Sequence, residues 1–86
     1  MTEFLYTITD PDGIHARPAG LFAQKMQGFN SNISIVKDDG QTADGKKLIA
    51  LMKLRPKCGQ TITVKAEGED EDAALEAARE FLTANL

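Results

Sequence analysis

Gln60-Thr61-Ile62-Thr63-Val64-Lys65-Ala66 alternates cleanly, with Ile62, Val64 and Ala66 on one side and Thr61, Thr63 and Lys65 on the other. That period of two, in β-branched residues, is the pattern of a strand with one face on a core. A one-sided strand needs a covering layer, and the sequence on both flanks supplies it. Downstream, Gly68 leads into Glu69-Asp70-Glu71-Asp72, acids gathered where a helix N-terminus is partly positive. Ala74, Leu75, Ala78, Phe81 and Leu82 then form the apolar stripe of a last helix. Upstream, Lys46 to Leu54 carries Leu48, Ile49, Leu51 and Met52, a short helix that Pro56 terminates.

Further from this strand the same two periods recur. Residues 2–9 place Phe4, Tyr6 and Ile8 on one side of a strand, with Leu5 breaking the polar side, and Asp10-Pro11-Asp12-Gly13 ends it. From Ala16 to Gln27, Ala19, Phe22, Ala23 and Met26 fall on one helix face. Gly28 is expected to stop that helix in the left-handed conformation. Asn32 to Val36 is a short β-branched run, and Asp38-Asp39-Gly40 turns it into a brief strand near Gln41–Ala43. The order β-α-β-β-α-β-α, without repeat or low-complexity tract, predicts an α+β two-layer sandwich: a four-stranded sheet with three helices on one face.

Composition narrows the function. The 86 residues, taken as a single domain over 1–86, are 42% hydrophobic and 27% charged, enough for one core and too apolar for a disordered chain. No uncharged stretch approaches the roughly 20 apolar residues of a membrane span. Met1-Thr2-Glu3-Phe4 has no basic region leading into an apolar run, so no secretory signal is expected and the protein reads as cytoplasmic. A single His and a single Cys, His15 and Cys58, cannot form a metal cage or an internal disulfide. The net charge of −3 argues against general nucleic-acid binding. It is unevenly placed: residues 1–65 hold nine of the ten Lys/Arg and six of the thirteen Asp/Glu, while residues 66–86 hold seven acids and one Arg.

Chemistry concentrates in Gly13-Ile14-His15-Ala16-Arg17-Pro18. Proline is harmless only in the first turn of a helix, so the helix must begin within about three residues before Pro18. That puts His15 at or beside the N-cap, and Ala16 and Arg17 then offer free backbone N–H groups to an anion. Arg17 adds a permanent cation that can fork onto two phosphate oxygens. An imidazole held here can act as a nucleophile whose product anion sits among waiting donors. A lone histidine at a helix start is more often a cap or a surface residue, and spacing alone does not decide between the two.

The stretch from Gly13 to Ala19 resembles the active-site signature of the HPr family, the histidine-containing phosphocarriers of the bacterial phosphoenolpyruvate:sugar phosphotransferase system. Thr7-Ile8-Thr9, Phe22, Gly28-Phe29, Lys47-Leu48 and Ala66-Glu67-Gly68-Glu69-Asp70-Glu71 extend the resemblance over essentially the whole chain. It implies an open-faced β-sandwich with an antiparallel sheet. It implies that His15 accepts a phosphoryl group on Nδ1 from phosphorylated enzyme I and passes it to IIA domains, with Arg17 as phosphate partner. A monomer is expected, with no cofactor, no metal and no turnover of its own. It also assigns docking of both partners to a patch of Gly20, Leu48, Ile49 and Met52. Leu48, Ile49 and Met52 cannot all face inward together with Leu51 and Leu54, so some must be exposed.

Three residues depart from the family pattern. Asp12 stands where many relatives carry a neutral polar residue, and an Asx turn with Gly13 is its expected role. Gly20 sits on the docking face where Ala, Thr or Ser is usual. Lys47 replaces the regulatory Ser of many relatives, so no serine-linked switch is expected there and the surface stays positive. Two other functions share these residues: a regulatory HPr-like phosphorelay or adaptor without sugar transport, and an anion-binding domain with no covalent step.

Overall fold

The computed structural model describes residues 2–11, 16–54 and 56–85. Strands β1 (Thr2–Thr7), β2 (Asn32–Lys37), β3 (Thr42–Asp44) and β4 (Thr61–Glu67) alternate with helices α1 (Ala16–Met26), α2 (Leu48–Leu54) and α3 (Glu71–Asn85). The strands form one sheet in the order β1-β4-β2-β3, and every neighbouring pair is antiparallel. Strand β4 is therefore interior, paired along both edges: Val64 pairs with Phe4 on one side and Ile35 on the other.

One face of the sheet supplies Ile8, Ile33, Ile35, Ala43, Ile62, Val64 and Ala66 to the core, where the stripes of the three helices meet them. On α1 the buried residues are Pro18, Ala19, Phe22, Ala23 and Met26. Leu5 projects from the opposite, open face and is 71% exposed. Phe22 and Phe81 pack edge to face with centroids 5.6 Å apart, which joins α1 to α3. The Tyr6 hydroxyl donates to the Leu82 carbonyl at 2.9 Å and ties α3 to β1.

The loops explain where the element ends fall. In the β2–β3 hairpin, Gly40 N–H bonds the Lys37 carbonyl at 3.0 Å and Lys37 N–H bonds the Gln41 carbonyl at 2.8 Å. Helix α1 does not end as expected, because Gly28 is not in the left-handed region. Gly28 N–H bonds the Lys25 carbonyl and Phe29 N–H bonds that of Met26, at 3.2 and 3.1 Å. These tighter bonds, reaching back three residues, use the last carbonyls and leave a left-handed residue nothing to cap. Helix α2 begins at Leu48 rather than Lys46, since the residues before it form a fixed turn. Gly45 N–H bonds the Ile33 carbonyl at 2.7 Å, and a Cβ on Gly45 would stand 2.6 Å from Ile33 Cγ2. Only glycine lets the backbone come that close.

Asp70 closes the far end. It precedes α3, and its carboxylate accepts the N–H of Asn30 at 2.8 Å, the N–H of Ser31 at 2.9 Å and the Ser31 hydroxyl. The Ser31 hydroxyl first, then the backbone N–H of Asn30, hold the Asp70 carboxyl below its ordinary value of 3.8.

Candidate functional site

Helix α1 opens at Ala16, and Pro18 is its third residue. The proline thus falls in the first turn, where an N–H has no acceptor in its own helix. The same rule leaves the N–H groups of Ala16 and Arg17 unpaired within α1, and both residues are exposed. The helix dipole adds partial positive charge at this point, and the Arg17 guanidinium adds a full one. Arg17, Pro18 and Leu21 line a surface depression of about 200 Å³ together with Asn85 from the end of α3. Asn85 is held by its Nδ2, which donates to the Phe81 carbonyl at 2.9 Å. His15 lies outside the described residues, as do Asp12, Gly13 and Ile14.

The second group of expected residues comes together on α1 and α2. A Cβ on Gly20 would be 4.0 Å from Leu48 Cδ1, so the two helices approach here, one turn along α1 from Arg17. Leu48 is 39% and Ile49 70% exposed, whereas Leu51 and Leu54 are buried. Met52 is half-buried and packs against the core, so it offers the surface only part of its side chain. Leu48 and Ile49 share a depression of about 640 Å³ with Gln27, Lys46, Lys47 and Lys53. An apolar floor with cations at its rim suits a protein partner bearing apolar side chains ringed by acids.

Two surface residues were missed by the sequence reading. Leu21 is 48% exposed, and its signal was available: it is apolar yet lies off the Ala19-Phe22-Ala23-Met26 stripe. Asn85 had no signal, because its place beside Arg17 depends on how α3 crosses α1. Cys58 is exposed in the turn before β4, its Sγ 3.8 Å from the Thr9 carbonyl. Among the described residues no group of three or more His, Cys, Asp or Glu could hold a metal ion. Nor is any described helix long and apolar enough to cross a membrane.

A donor-rich helix start and an apolar, cation-rimmed helix patch thus lie side by side on an open-faced sandwich, an arrangement that suits an anion next to a protein surface. The particular family follows from comparison. A family model described as the PTS HPr component phosphorylation site matches residues 2–84. The chain is 40% identical over 85 residues to the phosphocarrier protein HPr of Mycoplasma genitalium, covering 99% of this chain and 97% of that protein. A solved Mycoplasma histidine-containing phosphocarrier matches the fold with a TM-score of 0.93 at 34% identity, over 96% of this chain and 93% of that one. Bacillus subtilis Crh, whose crystal structure is described as a dimer with a swapped domain, matches at 32% identity and a TM-score of 0.78, over 100% of this chain and 98% of that one. The chain belongs to the HPr family, and its role is that of a phosphocarrier in the phosphotransferase system.

Proposed function

We propose that His15 carries the phosphoryl group, taken from phosphorylated enzyme I and handed to the IIA domains of sugar uptake. The lone pair of Nδ1 attacks phosphorus as the bond to the donor breaks, and the same atom is the leaving group in the second transfer. One observation carries this reading: α1 starts at Ala16, immediately after the only histidine of the sequence. Arg17 pairs with the phosphoryl oxygens, and the Ala16 and Arg17 N–H groups add donors from the backbone. Gly20, Leu21, Leu48, Ile49 and the exposed part of Met52 form the docking surface for both partners, with Lys47 and Lys53 attracting their acidic faces.

The protein acts as a cytoplasmic monomer without turnover or cofactor of its own, any Mg²⁺ requirement being that of enzyme I. The test is incubation with enzyme I, Mg²⁺ and phosphoenolpyruvate, followed by intact mass. The parent gains one acid-labile, base-stable phosphoryl group, and His15→Ala folds but gains none. A full adduct on His15→Ala overturns the assignment.

A further inference from the structure

The junction between α1 and α2 is crossed by a reciprocal pair of hydrogen bonds. Gln27, one residue past the end of α1, donates from Nε2 to the Lys46 carbonyl at 2.9 Å. Lys46, two residues before α2, donates its ammonium back to the Phe29 carbonyl at 2.7 Å. Phe29 lies just beyond the negative end of α1, where a cation is favoured. The turn around Lys46 is rigid in its own right: Asp44 Oδ1 accepts the Lys46 N–H at 2.9 Å, and the Asp44 carbonyl accepts the Lys47 N–H at 3.1 Å. The Lys47 carbonyl then takes the Leu51 N–H at 3.1 Å as the helix begins.

At the other end of α2, Lys37 Nζ donates to the Leu54 carbonyl at 3.0 Å, satisfying one of the last free carbonyls. A helix of seven residues is far too short to persist by itself, so its orientation depends on such attachments. With the far end held from the sheet, the bonds at Lys46 set how the near end sits against α1. Lys46 therefore differs from its neighbours. Lys47 and Lys53 are exposed, whereas Lys46 is half-buried with its ammonium engaged by the fold.

We propose that Lys46 is a positioning residue for partner docking rather than a docking charge: it fixes α2 against α1, and so places Leu48 and Ile49 relative to Arg17. The inference rests on the docking surface proposed above. The variant is Lys46→Met, which keeps the apolar stem and removes the ammonium, with Gln27→Ala cutting the other half of the pair. Hydrogen exchange should show the Leu51 amide less protected in both variants. Steady-state phosphoryl transfer from enzyme I should show KM for the carrier raised roughly two- to tenfold, the range of one hydrogen bond's net worth, with kcat held. Lys46→Arg should recover part of the loss.

Salt dependence separates position from charge. Lys47→Ala should flatten the fall of kcat/KM with salt, since it removes an exposed docking cation, while Lys46→Met should keep the parent slope. A slope flattened in Lys46→Met as much as in Lys47→Ala makes Lys46 a docking charge and overturns the proposal. Unchanged Leu51 protection overturns it as well. If α2 loosens while KM stays constant, Ile49→Ser locates the fault. A raised KM in Ile49→Ser shows that docking uses the patch but does not need the Lys46 bonds, and the proposal falls alone. A silent Ile49→Ser shows that the docking surface is misplaced, and the positioning role falls with it.

Discussion

The starts of α3 and α1 are both helix N-termini with partial positive charge, and the chain treats them in opposite ways. At α3 the charge is answered from within: Glu71 and Asp72 occupy the first turn, and Glu71 Oε1 accepts the Gly68 N–H at 3.4 Å. Asp70 beside them is saturated by Asn30 and Ser31. At α1 the first turn carries no acid, and its charged residue is the cation Arg17. The first arrangement stabilises the fold; the second leaves positive potential exposed, which favours an incoming anion. Two helix ends built from the same physics thus differ in outcome: one is neutralised within the fold and the other stays open to an anion.

The largest expected effect tests the α1 side. Arg17→Ala should slow phosphoryl transfer by about 1.5–3 kcal/mol of barrier, the range of a charged hydrogen bond, or roughly ten- to a hundredfold. Arg17→Lys should recover only part, because an ammonium cannot fork onto two oxygens. Urea unfolding of Arg17→Ala should match the parent, since the side chain is exposed and outside the core. Rapid-quench kinetics at matched enzyme I concentrations check the rate. A parent-like rate would show that the helix N–H groups hold the phosphoryl group unaided.

Gly45 tests the fold side, at the entrance to α2. Gly45→Ala puts a methyl against Ile33 Cγ2, Cβ and O at 2.6, 3.1 and 3.3 Å, where the carbonyl is part of the β2 backbone and cannot turn aside. An overpacking cost of about 1–3 kcal/mol is expected. Chemical denaturation measures it. A change near zero would mean that β2 and the α2 turn can separate without loss.

Asp70 carries the comparison into pH. Its carboxyl is held below the ordinary 3.8, so the folded state keeps the charged form more readily than the unfolded chain does. The stability this supplies is complete above the unfolded value and is lost as pH falls through the lower folded one. Urea midpoints measured from pH 5 down to pH 2 should fall for the parent, and by less for Asp70→Asn, which has no charge to lose. Asp70→Asn should be less stable than the parent at neutral pH, yet transfer phosphoryl groups at the parent rate while folded. Slowed transfer in the folded variant would mean that the two helix ends are coupled.

The difference between the two ends also explains what the sequence disclosed. All seven elements were legible, because each pattern of two or of three and four is a local consequence of one buried face. Ile62, Val64 and Ala66 or Ala19, Phe22, Ala23 and Met26 need no knowledge of their neighbours to be read. The start of α1 was legible for the same reason, since Pro18 restricts its own helix. Asp70 read only as an acid complementing its helix; its bonds to Asn30 and Ser31 join residues 40 and 39 positions apart, which no periodicity encodes. Lys46 read only as the first residue of a short helix, because its partner Phe29 is 17 residues away. That some of Leu48, Ile49 and Met52 are exposed was legible by counting how many apolar residues one helix face can bury; that Leu48 and Ile49 are the exposed ones was not.

Gly20 offers the smallest and sharpest test, because it separates what the fold needs from what docking needs. The glycine is inside α1, where it is less favourable than alanine by about 0.5–1 kcal/mol. Nothing in the packing requires it: an added Cβ meets only Leu48 Cδ1, at 4.0 Å, an ordinary contact. Gly20→Ala should therefore stabilise the protein by about 0.5–1 kcal/mol, raising Tm by a few degrees for a chain of this size. A loss of stability would show that Leu48 is wedged against α1 rather than resting on it. The new methyl also stands between the α1 start and the α2 patch, so KM for enzyme I reads whether a partner passes through that gap. We expect it to stay within about fourfold of the parent, because one methyl on an apolar surface shifts a contact by about 0.8 kcal/mol at most.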